Sequence, residues 1–336
     1  MCLVFAVGVV VENMQEEIIA LIPIVVALCG RLGYTPLVAA AMCAGSAFVG
    51  SAFSPMNPFQ VGIAQKGAGV PLMSGWQFRT VFLVIALAIW ILATMRHAKM
   101  TRFEPAADAT PTEEPELDPG ECKRHLLILG IVAVSFVVVV WGLLIRDPAW
   151  GFNDLTGLFF LMGIIVGLIG GLGLSGTSEA FGRGFRDMAL AGILVGVARA
   201  IFVVLDDGRI VDTIVHGLFT PIENLPVALS GLGMMGAHVL VHIPVPSVSG
   251  HAVLTMPILA PLGDLLGMSR QVVILAYQYG AGIFDMITPT NGALLAILAA
   301  GGVRYEEWMA FAWRWYLVLT ALGGVAVLIA LGIGLE

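Results

Sequence analysis

The sequence predicts an all-α polytopic membrane protein, and three observations carry that prediction. Its 336 residues are 59% hydrophobic and only 12% charged, whereas soluble proteins are nearer half apolar and a quarter charged. Apolar runs long enough to cross a bilayer recur along the chain, as at 76–95 and 308–333. Two other apolar runs are interrupted by prolines with polar neighbours. The net charge of −7 owes much to one acidic stretch, so nucleic-acid binding has no support.

The N-terminal elements are predicted to form one incomplete repeat, residues 1–96. Two apolar arms around a polar tip are each too short to span, which indicates a re-entrant hairpin over 2–29. The run 36–67 is broken at Ser54-Pro55-Met56-Asn57-Pro58, because proline removes a backbone donor from the helix. Such a break is tolerated at membrane depth only inside protein or beside a water-filled cavity. A full span follows at 76–95.

The remainder of the chain is predicted to be an acidic cytoplasmic linker, 97–124, and a C-terminal repeat, 125–336. The linker is rich in proline and acids, which is typical of a solvated connector. The C-terminal elements are spans at 125–145, 155–174 and 188–205 with a short basic loop at 182–186, a second hairpin at 226–266, a second discontinuous helix at 271–300 broken near Thr288–Gly292, and a last span at 308–333.

An internal repeat relates the two halves. At an offset of 234 residues (257 minus 23), Pro23 falls on Pro257 without any gap. The same offset superposes Gly33 on Gly267, Ser54 on Thr288, Pro55 on Pro289, Asn57 on Asn291 and Gly67 on Gly301. Five predicted crossings separate the hairpins, so the hairpins enter from opposite faces, as in the inverted-repeat transporters. Three spans precede the second hairpin and none precedes the first, which predicts an N-terminally truncated chain.

The helix breaks and hairpin tips supply the candidate binding site. Half-helices are predicted to begin after Asn13, Asn57, Gly250 and Asn291, and converging helix N-termini favour an anion such as a carboxylate. The predicted substrate- and ion-binding residues are Asn13, Glu16, Glu17, Ser54, Pro55, Asn57, Ser247, Ser249, Gly250, Asp285, Thr288, Pro289, Thr290 and Asn291. The coupling ion is expected to be a proton or sodium, the latter at Ser54/Asn57 and Thr288/Asn291; no other metal or cofactor is predicted.

Several acidic residues have two interpretations. Asn13 and Glu16 have the spacing of a capping box at a helix start; alternatively, Glu16 or Glu17 binds the coupling ion or a substrate ammonium, since intramembrane acids are usually functional. Asp285 is a similar candidate, or else it is the partner of a buried tyrosine or glutamine such as Gln278.

Three histidines near the second hairpin tip also have two interpretations. His238 and His242 are four residues apart, on one helix face, and His251 lies across the tip. Packing and hydrogen bonding at the tip is favoured over a metal site, which would need a firmer set of ligands.

The motifs at the hairpins and breaks, taken together, resemble one transporter family. Residues 13–23, 54–59, 245–252, 254–258 and 288–292 are similar to the YfcC/DcuC-type anaerobic C4-dicarboxylate carriers of the ion transporter superfamily. One departure is Asn13, where that family usually has glycine. The resemblance implies a multi-pass protein of the bacterial inner membrane, in contact with lipid, and leaves a homodimer open. The sequence is more similar to the YfcC branch of this family, whose substrates are sometimes given as basic amino acids.

The expected function is therefore secondary active transport of a carboxylate-bearing metabolite similar to a C4-dicarboxylate, by an ion-coupled elevator or rocking motion. The alternatives are a basic amino acid antiporter or uniporter of the same fold, and a fragment that does not transport. A membrane-embedded enzyme is disfavoured: Ser247, Ser249 and His251 could supply a nucleophile and a base, but a hydrolase has no need for the repeat.

Overall fold

The structure, a computed structural model, describes residues 1–15, 17–104, 119–144, 146, 150, 152–210, 213, 217, 220–221 and 225–335. In this part of the chain the regular secondary structure is helical, with no strand. The α-helices are α1 (Cys2–Glu12), α2 (Ile18–Arg31), α3 (Pro36–Ala40), α4 (Ser46–Ala52), α5 (Ile63–Ala68), α6 (Trp76–Met100), α7 (Pro119–Leu144), α8 (Phe152–Ile169), α9 (Gly173–Asp207), α10 (Val227–His242), α11 (Val248–Leu265), α12 (Arg270–Phe284), α13 (Gly292–Ala300) and α14 (Tyr305–Ile333).

The chain divides into two compact units. The first comprises Met1–Glu104 and Leu190–Glu336. In it α10 packs against α12 and α14, α1 packs against α4, and α11 packs against α5 and α12. The second unit is Pro105–Ala189, in which α7 and α8 pack together. Every predicted site residue belongs to the first unit.

Both predicted helix breaks are present. In the first, two π-helical segments, Ala41–Gly45 and Pro58–Gly62, flank α4, and the chain leaves helical geometry between Ala52 and Pro58. In the second, α12 ends at Phe284 and α13 begins at Gly292. Proline and asparagine at each break explain why the helix stops and restarts there, since proline cannot donate and asparagine caps a new helix.

Corresponding elements of the two halves share local geometry at the 234-residue offset. Pro23 and Pro257 each lie inside a helix. Gly33 and Gly267 both adopt positive φ, 79° and 72°, a conformation that glycine adopts without steric cost. Helix α12 begins 234 residues after Pro36, the first residue of α3. The opposite membrane orientation of the two halves stays a prediction, as does the re-entry of α1–α2 and α10–α11.

Two helices in the described ranges are long and apolar enough to cross a membrane, α6 and α14. They contain the predicted spans 76–95 and 308–333. They also meet in the core, where the Trp90 ring packs against Phe311 at 5.6 Å between centroids. The indole of Trp90 donates to the carbonyl of Ala41 at 2.9 Å and lies over Gly45, where a Cβ would come within 1.9 Å of the ring.

The predicted basic loop at 182–186 was wrong, because these residues lie within α9. A glycine in a helix costs only about 1 kcal/mol, so the two glycines there do not end the helix. Arg183 also pairs with Glu179 one turn earlier, at 3.0 Å, which supports helical geometry.

The predicted linker 97–124 is shorter at both ends than expected, since α6 continues to Met100 and α7 begins at Pro119. Proline is well suited to the first position of a helix. Half of this linker, residues 105–118, lies outside the described residues, and its cytoplasmic location stays a prediction.

Candidate functional site

The N-terminal break is built around Asn57, which is buried and uses all of its side-chain hydrogen-bonding groups. Its Oδ1 accepts from the amides of Phe59 and Gln60 at 3.0 and 2.9 Å, so it caps the helix that follows. Its Nδ2 donates to the carbonyl of Val9 and to Asn13 Oδ1, both at 2.9 Å. The break is thereby attached to the last turn of α1.

Ser54 makes a second attachment to α1. Its hydroxyl donates to the carbonyl of Val10 at 3.0 Å and accepts from the amides of Met56 and Asn57 at 3.1 and 2.8 Å. The side chains of Ser54 and Asn57 are both fully buried. Pro55, also buried, lies in the bend between them. Free polar groups at a break would be costly to bury, and here the protein itself satisfies them.

Asn13 ends α1 and does not begin α2. It has a left-handed conformation, φ 59°, at the C-cap of α1, a position where asparagine is common. Helix α2 begins at Ile18 with Glu17 at its N-cap, and Glu17 is exposed. The predicted capping box from Asn13 to Glu16 was therefore wrong. Glu16 itself lies outside the described residues, so its binding role stays a prediction.

The second hairpin tip is capped by Ser247. Its hydroxyl accepts from the amide of Gly250 at 3.3 Å and lies 3.4 Å from the hydroxyl of Ser249. Helix α11 thus begins at Val248, three residues earlier than the predicted start after Gly250, because serine is the stronger cap. All three predicted tip residues are half-buried.

The C-terminal break repeats the asparagine cap and adds a charge. Asn291 Oδ1 accepts from the amide of Leu294 at 3.0 Å, and Asn291 Nδ2 donates to Asp285 Oδ1 at 2.7 Å. Asp285 is almost fully buried at 3% exposure. Buried carboxylates need hydrogen-bonded partners, and Asn291 is one of them.

The two threonines of the second break contact each other and the hairpin. The hydroxyls of Thr288 and Thr290 lie 3.2 Å apart, and Thr290 Oγ1 donates to the carbonyl of Ile243 at 3.0 Å, just before the tip. Thr288 is fully buried, and Pro289 between the two threonines is exposed. The second break is therefore hydrogen-bonded directly to the second hairpin.

Three buried histidines connect Asp285 to α10 and α11. His242 Nε2 lies 2.7 Å from Asp285 Oδ1, His242 Nδ1 lies 3.2 Å from His251 Nδ1, and His251 Nε2 lies 2.8 Å from His238 Nδ1. We call Asp285, His242, His251 and His238 the histidine chain. All three rings are fully buried, which confirms the favoured interpretation of hydrogen bonding at this tip. The prediction that Gln278 is the alternative partner of Asp285 was wrong.

Gln278 instead joins α12, the helix that leads to the second break, to the first break. Its Nε2 donates to the carbonyl of Ser54 at 2.7 Å, and its own backbone carbonyl accepts from Gln60 Nε2 at 3.3 Å. One turn further along α12, Gly282 allows this close approach, because a Cβ there would lie 2.1 Å from Gln60 Nε2. Helix α12 is thus linked to the first break through Gln278, whose predicted partner was Asp285, and through Gln60, which the sequence did not single out.

Arg79 at the start of α6 was also missed. It is fully buried, and its guanidinium donates to Gln278 Oε1 at 2.9 Å, Gln271 Oε1 at 2.9 Å and the carbonyl of Ser74 at 2.7 Å. All three of these partners are neutral. An arginine inside an apolar span of the sequence was the signal that could have found it.

The residues of the predicted sodium sites already have hydrogen-bond partners within the protein. Within the described ranges, no group of three or more histidine, cysteine, aspartate or glutamate side chains is arranged to hold a metal ion. The side-chain oxygens of Asn57 and Asn291 both accept backbone hydrogen bonds. Sodium at Ser54/Asn57 and Thr288/Asn291 stays a prediction.

Comparison with known proteins gives a family match over nearly the whole chain. The model of DcuC, the C4-dicarboxylate anaerobic carriers, matches residues 1–332. The Escherichia coli K12 protein named "Putative basic amino acid antiporter YfcC" is 33% identical over 327 residues, 91% of this chain. A Haemophilus influenzae protein without an assigned function is 30% identical over 329 residues, 94% of this chain. The chain spans 64% of the length of each of these relatives.

The fold is similar to that of a solved transporter. The crystal structure of the Alcanivorax borkumensis YdaH transporter, described as having an unusual topology, matches with a TM-score of 0.52. The match covers 97% of this chain and 76% of that protein at 15% sequence identity.

Proposed function

Because this chain belongs to the DcuC family of C4-dicarboxylate anaerobic carriers, we propose that it forms the substrate-handling part of a secondary active transporter for a carboxylate-bearing metabolite. The family and the fold are those of multi-pass membrane transporters. The observation that carries the proposal is the pair of buried helix breaks, capped by Asn57 and Asn291. The first break is bonded through Gln278 to the helix that leads to the second. Discontinuous helices of this kind hold the substrate in secondary transporters.

A carboxylate substrate is supported by charge. Arg79 is a buried cation whose hydrogen-bond partners given above are all neutral. Arginine is the side chain best suited to carboxylates, through paired N–H groups. Two helices also begin at the breaks, at Pro58 and Gly292, and helix N-termini favour anions.

A basic amino acid is the second candidate, favoured by Asp285 and by the name of the Escherichia coli relative. Asp285 is a buried acid at the second break, where it could face a substrate ammonium. Such a substrate would still present its carboxylate to the helix starts, so both candidates use the same breaks.

We further propose that substrate movement is coupled to a proton or sodium and proceeds by an elevator or rocking motion in the bacterial inner membrane. The duplicated hairpin-and-break arrangement supports alternating access around a fixed site. A homodimer is compatible with this mechanism. The proposal assigns no enzymatic reaction and no organic cofactor.

The test is uptake and exchange in proteoliposomes. We expect the protein to exchange succinate or fumarate, and Arg79→Gln to reduce that exchange by roughly tenfold or more, as for other buried charge contacts. Arg183→Gln, at an exposed pair in α9, is the matched control and should leave exchange unchanged. Exchange of arginine and lysine alone would select the second candidate. No exchange of any carboxylate or amino acid would refute the proposal.

A further inference from the structure

We propose that the histidine chain binds and conducts the coupling proton, with His242 holding it opposite Asp285. This inference rests on the proposed transport function and names its coupling ion. It draws on four titratable side chains that are buried together and on the hydrogen bonds that join them in one line.

One tautomer pattern satisfies every link of the chain when no extra proton is present. Asp285 is ionised and accepts from His242 Nε2–H. His242 Nδ1 then accepts from His251 Nδ1–H, and His251 Nε2 accepts from His238 Nδ1–H. Each neutral histidine has one donor and one acceptor nitrogen. All the hydrogen bonds of the histidine chain are therefore donated in the same direction, from His238 towards Asp285.

A proton added at His238 Nε2 can move along this line without any ring leaving its place. His238 passes its Nδ1 proton to His251 Nε2, and His251 passes its Nδ1 proton to His242 Nδ1. His242 then carries protons on both nitrogens and is an imidazolium, while the other two histidines are neutral again. The steps conserve protons, and the carboxylate of Asp285 stays ionised.

The position next to Asp285 is where the charge can reside. Burial disfavours a cationic ring, whereas an opposite charge within about 4 Å favours it. His242 Nε2 lies 2.7 Å from Asp285 Oδ1, so the carboxylate directly favours a positive charge on this ring. Histidine is also the side chain whose unperturbed pKa lies nearest to physiological pH.

The surroundings of the histidine chain are largely neutral. Tyr277 packs its ring against His238 and His251, both at 5.5 Å, and donates its hydroxyl to the carbonyl of Val248. Phe284 packs on His242 at 6.3 Å and on Tyr316 of α14. Apart from Asp285, the charged residues on the elements packed against α10 and α11 are exposed or half-buried. Arg270 on α12 is half-buried and pairs with Asp264 of α11 at 2.7 Å. The exposed ones are Lys66 on α5, Asp264 on α11, and Arg314, Glu306 and Glu307 on α14.

Protonation is connected to the helix break through Asp285. Its Oδ1 accepts from both His242 and Asn291, and Asn291 caps α13. When His242 becomes cationic, its bond to the shared oxygen becomes charge-assisted and stronger, in competition with the bond from Asn291. The cap of the second break therefore responds to the proton.

The test compares driven accumulation with exchange in proteoliposomes, with succinate as the probe. We expect an inward proton gradient to drive succinate accumulation, and His251→Gln and His242→Gln to reduce it by roughly tenfold, within the usual range of coupling between sites. Exchange of internal for external succinate needs no gradient, so it measures in each variant whether transport itself remains. His125→Gln, at an exposed histidine of α7, is the control.

Two outcomes of that experiment would overturn the inference: gradient-driven accumulation that survives in both variants, or wild-type accumulation that does not respond to the proton gradient. A second measurement needs no substrate. In 15N spectra of histidine-labelled protein, we expect the His242 resonance to report a doubly protonated ring beside Asp285, and Asp285→Asn to abolish that state. A neutral His242 ring would refute the proton site, whereas absence of exchange with a doubly protonated His242 would refute only the transport proposal.

Discussion

The two helix breaks have the same backbone plan and different chemistry. In each, an asparagine caps the restarting helix, Asn57 in the first and Asn291 in the second. At the 234-residue offset, however, Asp285 falls on Ser51 (285 minus 234), and His242 falls on Gly8. The first break is consequently neutral and satisfied by its own hairpin, while the second contains a buried carboxylate and three histidines. Duplicated backbones can thus divide structural anchoring and proton chemistry between them.

The largest expected difference is between the two caps. Asn57→Ala removes four buried hydrogen bonds and should destabilise the protein by roughly 3 kcal/mol, whereas Asn291→Ala removes two and should cost roughly 1.5 kcal/mol. Unfolding in a denaturing-detergent titration measures both. Equal losses at the two sites would contradict the view that the first break is the structural anchor.

The contact between α12 and the first break should be nearly as sensitive. Gly282→Ala places a methyl group against Gln60 Nε2 and the Cα of Ala52, and overpacking of this kind costs about 1–3 kcal/mol. Gly30→Ala in α2, where a Cβ meets nothing within 4 Å, is the matched control. It should be neutral or stabilise the helix by up to about 1 kcal/mol. The same titration distinguishes the two, and a neutral Gly282→Ala would separate α12 from the first break energetically.

The smallest difference concerns the hydroxyls that the offset pairs. Ser54→Ala loses one donated and two accepted hydrogen bonds and should cost roughly 2 kcal/mol. Thr288→Val preserves volume and loses the contact with Thr290, so about 1 kcal/mol or less is expected. Thermal melting in detergent gives the ranking. A larger effect at Thr288 would reverse the assignment of the anchoring role.

The breaks could be predicted because their causes are local. Proline cannot continue a helix and asparagine starts one, so Ser54–Asn57 and Thr288–Asn291 were identified from residue type and spacing. The family followed from the same motifs. Helix ends were less predictable where a cap was misjudged, as at Asn13, whose left-handed conformation ends α1, and at Ser247, which starts α11.

The contacts between distant elements could not be predicted. Asp285 and His242 are 43 residues apart, and Gln278 and Ser54 are 224 apart. No periodicity encodes which face of α12 meets α10 or α4; packing of the whole unit decides it. For the same reason the sequence assigned Gln278 to Asp285, and passed over Arg79 in an apolar span.

The amide of Gln278 has a fixed polarity. Its oxygen must face the Arg79 guanidinium, so its NH₂ group must face the Ser54 carbonyl. Rotation of the amide by half a turn would set donor against donor and acceptor against acceptor. A glutamate here would satisfy the arginine and repel the carbonyl, and a leucine would satisfy neither. Gln278 therefore fits between Arg79 and the Ser54 carbonyl in one amide orientation only. This requirement favours a single register between α12 and the N-terminal half.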